Sequence, residues 1–327
     1  MKIIAAIIGM GIGQKHLDAI DNYKKSFVKI ICEKNKKKLN KLKIKYPNKI
    51  ITSDENCIYK DKEINLVSIA SYDNYHYQQI INSIHSNKNI IVEKPMCLNT
   101  KQLKNIKKLL DKNKKIKMTS NLVLRVNSLF NKFKQKVNDK KIFYIEGDYL
   151  WGRKEKLFGW RANVKDYSLT LGAGIHLIDL IMWLTKTRPI SVYSMGNKNA
   201  TIGTRFKKES LIVMLFKFPK NIIVKITANG GAIYDHFHEL KVFCLKQTYV
   251  NSKLGSFSYE DNRLIKESSS YPDKKNRKKL IRNFIDCLIE KKTSPIITIK
   301  EQIDLMSVCF AVDKSLKLNK TLKIKYF

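Results

Sequence analysis

The sequence holds no apolar run near the roughly 20 residues that a membrane-crossing helix needs, so a helical membrane protein is excluded. It has no internal repeat and no low-complexity linker, which argues against a solenoid or a bead-and-string chain. Its six cysteines, Cys32, Cys57, Cys97, Cys244, Cys287 and Cys309, lie far apart. No close pair offers a zinc site or a secreted disulfide framework, and buried, reduced thiols are expected. Acidic residues are scarce, 28 against 64 Lys and Arg, which leaves a formal charge of +36. Arginine is scarce as well, confined to positions 125, 153, 161, 188, 205, 263, 277 and 282. Nucleic-acid sites favour Arg for bidentate phosphate and base contacts. A Lys-dominated excess, spread along the chain with abundant Asn and Ile, instead reads as solvated faces set by composition. No nucleic-acid or membrane partner is expected. The charge retains one use, in raising encounter rates with anionic substrates such as nucleotide sugars.

What is present is an ordinary globular composition. The 327 residues are enough for two domains, and the hydrophobic fraction of 43% supports a sizeable core. The apolar start, Ile3 to Ile8, is too short for a signal-peptide core with its cleavage site and runs straight into glycines. It reads as a first strand, and a cytoplasmic location is expected.

Periodicity then organises the first third. Helical spacing of Leu17, Ile20 and Tyr23 follows the glycines, and a second apolar run, Phe27 to Cys32, leads into the Lys-rich stretch 34–45, giving a βαβ unit. Strands at 66–70, 89–92 and 116–120, with helices at 77–86 and 100–112 between them, predict a parallel, doubly wound Rossmann-type domain over residues 1–120. Beyond it the pattern changes to longer alternating strands at 142–150, 191–195, 211–218, 222–227 and 239–245. These predict an α+β domain over 121–327 with a large, mostly antiparallel open sheet. An open sheet face suits a homodimer or homotetramer. Helices at 278–290 and 300–316 and a short strand at 322–326 complete the reading, with the last helices packing back on the first domain.

The turn Gly9-Met10-Gly11-Ile12-Gly13 lets backbone amides approach a pyrophosphate at the start of a helix. Its spacing departs from G-x-G-x-x-G, and such turns also occur as plain tight turns. Glu33, at the end of the second strand about 20 residues on, is placed to accept hydrogen bonds from ribose hydroxyls and repel a 2′-phosphate, which points to NAD. The neighbouring Lys34 leaves NADP open.

The segment Val92-Glu93-Lys94-Pro95 follows a predicted strand, and its Glu-Lys-Pro triplet resembles the signature of the glucose-fructose oxidoreductase, inositol dehydrogenase and rhizopine-catabolism (Gfo/Idh/MocA) family. Three further elements agree in order and spacing: the glycine turn followed by His16, the stretch from Ala70 and Ser71 to His76, and Gly174-Ile175-His176-Leu177-Ile178-Asp179. The resemblance covers essentially the whole chain. It implies cofactor contacts from Gly9, Gly11, Ile12, Gly13, Glu33, Ser71, His76, Glu93 and Lys94. It also implies that Lys94 polarises the reacting oxygen and that His176 is the general acid/base. A cation beside the oxygen would stabilise alkoxide character in hydride transfer, and an imidazole suits proton exchange near neutrality. The chain departs from the family at Gly172, where many members carry an aspartate four residues before the histidine. Asp179 or Asp148 are candidates to take over that work, though Asp179 would equally serve only to support its helix.

Four more residues are substrate-binding candidates with Lys94, His176 and Asp179. Trp160 and Arg161 offer an aromatic face and a bidentate anion binder, and equally suit a structural corner. Asn121 and Arg125 follow the last strand of the first domain, where polar groups reach the nicotinamide or the substrate. His236 and His238 alternate near Asp235 and Glu239 without a third ligand in sequence, so no metal site is expected. The reading is an NAD(P)-dependent dehydrogenase or reductase acting on a secondary alcohol or ketone of a sugar, cyclitol or nucleotide-linked sugar, with a place in surface-polysaccharide sugar synthesis. The rival, which Gly172 keeps open, is a dinucleotide-binding sensor or partner subunit without turnover.

Overall fold

The computed structural model describes residues 2–137, 141–260, 263–267, 271–290 and 293–327, and the chain divides into two compact units. The first runs to Val123 and takes back Lys275–Ile303; the second comprises Leu124–Lys274 and Asp304–Phe327.

In the first unit, β1 (Ile3–Ile8), β2 (Ser26–Cys32), β3 (Ile50–Thr52), β4 (Leu66–Ile69), β5 (Asn89–Val92) and β6 (Met118–Ser120) form a six-stranded sheet in the order β3-β2-β1-β4-β5-β6. All its pairings are parallel. Helices α1 (Gly13–Asp21), α2 (Lys36–Lys45), α3 (Asn56–Lys60), α4 (Asp73–His85) and α5 (Thr100–Lys112) alternate with the strands. Strand β1 is wholly apolar because a parallel strand is covered on both faces. Asn35 and Asn99 cap α2 and α5 by accepting from the backbone N–H of Lys38 and Gln102. Strand order reverses between β1 and β4, which places Gly9 and Ala70 at the carboxyl-edge crevice where such sheets bind ligands. A late helix, α9 (Lys278–Ile289), belongs to this unit: Ile281, Phe284, Ile285 and Leu288 join Ile3, Ala5, Leu17 and Ile20 in one core.

The second unit is built on β7 (Ile142–Leu150), β8 (Ser191–Asn197), β9 (Leu211–Lys217), β10 (Ile223–Asn229), β11 (Phe237–Cys244), β12 (Gln247–Ser252), β13 (Gly255–Glu260), β14 (Arg263–Lys266) and β15 (Leu322–Lys323). They form a nine-stranded sheet in the order β14-β13-β12-β11-β7-β10-β9-β8-β15, antiparallel except for the β7–β10 pair. Its helices are α6 (Ser128–Lys136), α7 (Trp160–Asn163), α8 (Ile175–Thr185) and α10 (Ile299–Leu318), the last beginning in the first unit's residues. Alternation along the central strands buries one face, and Leu177 and Ile181 of α8 pack over Gly147 of β7. The other face is open and carries Met195, Leu215 and Ile223 among Glu146, Asp148, Lys225 and Lys241.

Two expectations are corrected. The hairpin strands β12 to β14 were not foreseen, because their polar residues gain order from backbone pairing rather than from an apolar pattern. Cys57 is exposed, whereas the other five cysteines are buried.

Candidate active site

The glycine turn after β1 is shaped by close backbone approach. Gly9 donates its N–H to Cys32 O at 2.8 Å and has φ +89°, and a Cβ there would lie 2.7 Å from Ala70 O. Beyond Gly11 the space for a side chain is open. Ile12, at the N-cap of α1, has no side-chain acceptor to offer, so it leaves the amides of Gly13 and Gln14 available to an anion, while the Lys15 N–H donates to Ile12 O at 2.8 Å. Glu33 is nearly buried, and its two oxygens accept from Met10 N (3.0 Å) and Asn35 N (2.9 Å). Its first role is thus to brace the turn, a role not seen in the sequence; the remaining lone pairs suit ribose hydroxyls. Lys34, the cation that left NADP open, pairs with Glu55 at 3.2 Å and lies 5.1 Å over the Tyr75 ring.

Lys94 follows β5 and is half-buried, and behind it lies a polar network. Glu93 Oε1 accepts from His16 Nε2 (3.0 Å) and Asn121 Nδ2 (2.7 Å), while His16 Nδ1 meets Ser68 Oγ at 2.7 Å. A carboxylate only accepts, so His16 Nε2 donates to Glu93. Burial pushes the Glu93 carboxyl up, but hydrogen bonds from His16 and Asn121 and the Lys94 charge outweigh it and hold it below the ordinary range. Asn121 Oδ1 is buried and accepts no hydrogen bond from the described residues, which suits an N–H donor on a ligand. With the open amides of α1 and the brace at Glu33, these residues fit an NAD-type dinucleotide. Ser71 and His76, also expected at the cofactor, make bonds of their own within the unit. Ser71 Oγ donates to Gln79, and the wholly buried His76 ring meets Pro95 O (2.7 Å) and Ser71 O (3.2 Å). His76 thus clamps the segment that presents Lys94.

In the second unit, His176 is not preceded by a simple glycine turn. Residues Thr170–Gly174 form a π-helical turn that runs directly into α8. At Gly172 a Cβ would lie 2.0 Å from the Tyr167 hydroxyl, so the phenol fills the space a longer residue would use. The His176 ring stacks on Tyr149 with centroids 5.9 Å apart and planes 9° apart. His238, paired across the sheet with Tyr149, stands edge-on to both rings and hydrogen-bonds Tyr271, and His236 adds a third imidazole. Sequence reasoning missed this cluster because sheet register assembles it. Among the described residues no group of His, Cys, Asp and Glu is arranged to hold a metal ion.

The remaining candidates separate. Arg125 and Asp179, 3% and 2% exposed, form a bidentate pair, Nη2 to Oδ1 at 2.7 Å and Nε to Oδ2 at 3.0 Å. Each satisfies the other's charge, so the two residues expected at the substrate form a buried support for α8. Asp148 points to the open sheet face, toward Thr227 and Lys225, away from His176. Arg161 lies over Trp160 at 4.3 Å and Trp151 at 5.3 Å, a braced cation.

Comparison with known proteins follows this division. A model described as an oxidoreductase family with an NAD-binding Rossmann fold matches residues 3–121, and the GFO/IDH/MocA C-terminal domain matches residues 140–250. No curated protein matches the sequence. Among solved structures, myo-inositol 2-dehydrogenase from Lactobacillus plantarum is similar at 18% identity and TM-score 0.86, over 99% of this chain and 100% of that one. Scyllo-inositol dehydrogenase from Lactobacillus casei, with NAD(H) and scyllo-inositol, gives 16% and 0.83 over 99% of both chains. The WlbA dehydrogenase from Bordetella pertussis, in complex with NADH and UDP-GlcNAcA, gives 16% and 0.83 over 100% of both. At such identity the likeness concerns the fold, and together with the two family matches it establishes that this chain belongs to the Gfo/Idh/MocA family of oxidoreductases, with an NAD-binding Rossmann domain.

Proposed function

We propose that the protein is a dehydrogenase or reductase that interconverts a secondary alcohol and a ketone on a sugar, cyclitol or nucleotide-linked sugar. The observation that carries this is Lys94 at the end of β5, with the anionic Glu93 buried behind it. NAD, when bound, supplies the hydride acceptor. The Lys94 ammonium donates a hydrogen bond to the substrate oxygen and stabilises its alkoxide character as the C–H bond breaks. His176 takes the hydroxyl proton, and the face of Tyr149 stabilises the resulting imidazolium. In reduction the same groups act in reverse. The polyhydroxylated substrate class draws support from two neighbours, whose ligands are scyllo-inositol and UDP-GlcNAcA. A place in surface-polysaccharide sugar synthesis, in the cytoplasm, follows for a nucleotide-linked substrate. The open sheet face with Met195 and Leu215 supports a homodimer or homotetramer, which sedimentation would reveal; a monomer at all concentrations contradicts it.

The second reading, a dinucleotide sensor without turnover, is favoured by one observation, the Tyr167 hydroxyl in the space beside Gly172. Cofactor binding is tested first by thermal shift with NAD, NADH, NADP and NADPH. Near a hundredfold over Kd, binding adds about 2.7 kcal/mol, or roughly 2 °C or more. Glu33 and the paired Lys34 predict larger shifts with NAD(H). No shift with any of the four removes both readings.

A further inference from the structure

Beyond β7 the chain gathers cations without building in their counter-ions. Arg153, Lys154, Lys156 and Arg161 lie close in sequence, and among the described residues none of them enters an ion pair. Glu155 is the one acid within that stretch. The Lys156 ammonium is held below its ordinary range by partial burial and by the Arg153 and Arg161 charges, which outweigh Glu155. Arg153 buries its Nε with no acceptor for it among the described residues. Arg161 is held in place: Trp160 and Trp151 present their faces to its guanidinium at 4.3 and 5.3 Å, and Nη1 donates to Lys156 O at 3.3 Å. Trp151 is itself fixed by its Nε1 bond to Arg153 O at 2.9 Å. Most of the Arg161 fork is left for a ligand, and a pre-set planar fork loses little entropy on binding.

The cluster also lies on the path that leads from His176. His176 stacks on Tyr149 at 5.9 Å, Tyr149 meets Trp151 at 5.8 Å, and Trp151 carries Arg161 at 5.3 Å. Three such contacts within one unit, through the buried rings of Tyr149 and Trp151, link His176 to the cations. Like charges held together cost free energy unless an anion offsets them. An uncharged cyclitol would leave this cost standing.

We infer that Arg153, Lys156 and Arg161, braced by Trp151 and Trp160, form a phosphoryl subsite, and that the substrate is a sugar esterified through phosphate or diphosphate. This rests on the dehydrogenase reading. The test is calorimetric titration of UDP, inorganic pyrophosphate and uridine into the protein saturated with NAD, which keeps the dinucleotide site filled. UDP and pyrophosphate should bind, uridine should not, and affinity should fall as salt rises. Arg153→Gln and Arg161→Gln should each weaken UDP by about tenfold or more, with unchanged melting temperature and NAD affinity. Should either fail to fold, Lys156→Gln carries the same expectation. UDP affinity unchanged in the variants, uridine binding as tightly as UDP, or no binding of either phosphoryl probe to protein that binds NAD overturns the subsite while leaving the dehydrogenase reading intact. Failure to bind NAD itself removes the reading beneath it.

Discussion

Single residues here act mainly through what they hold in place. Glu93 and His16 fix the charge behind Lys94, His76 clamps the backbone that presents it, and Tyr149 faces His176. Gly172 shows the same logic by exclusion. A Cβ there would meet the Tyr167 hydroxyl at 2.0 Å, so Gly172→Ala should lose about 1–3 kcal/mol to overpacking, read as a lower melting temperature. Adding Tyr167→Val should recover part of the loss; an alanine variant as stable as wild type would contradict the packing. The positions of Lys94, Glu33 and the glycines just beyond strand ends were legible in the sequence because each belongs to a local motif there. The His16–Glu93–Asn121 network was not, since its members lie 77 and 28 positions from one another. The imidazole cluster depends on Tyr149 facing His238 across two strands, a register no single segment encodes.

At the scale of elements, the β-α alternation of the first 120 residues was readable from periodicity, and so were the long central strands of the second sheet. The π-helical turn before α8 was not, because its residues read equally well as a glycine turn. Its entry is held by Asp313 of α10: Ser168 Oγ donates to Asp313 Oδ2 at 2.7 Å and accepts from Leu171 N at 3.2 Å. Burial pushes the Asp313 carboxyl up to about 6, against the pull of its Thr170 and Ser168 hydrogen bonds. The folded acid thus keeps its proton to higher pH than the unfolded one, whose value is near 3.8. Stability is therefore lost as pH rises between those values and stays lowered above them. Asp313→Asn retains an acceptor for Ser168 and removes the charge. It should stabilise the protein by about 2 kcal/mol at pH 7.5 and by little at pH 4. Equal effects at both pH values in thermal melts would contradict a buried, proton-retaining Asp313.

For the whole molecule, the charge of +36 invites a nucleic-acid reading, which the scarcity of Arg among the cations opposes. Arg153, Lys156 and Arg161, in no ion pair among the described residues, lie beside tryptophans and at the end of the ring contacts that lead from His176, as the proposed small-ligand subsite would require. Of the two residues proposed to carry the reaction, Lys94 belongs to the first unit and His176 to the second, and each is supported by groups of its own unit.

The most direct test of the proposed roles of Lys94 and His176 is NAD-linked turnover of a panel of cyclitols, sugars and nucleotide sugars, followed by NADH absorbance, for wild type, Lys94→Ala and His176→Ala. Wild type should turn over at least one member of the panel. Each variant should lose about 10²–10⁴-fold in kcat while still binding NADH. Turnover that survives both substitutions would contradict the assignment of these two residues, and NADH binding without wild-type turnover of any substrate would favour the sensor.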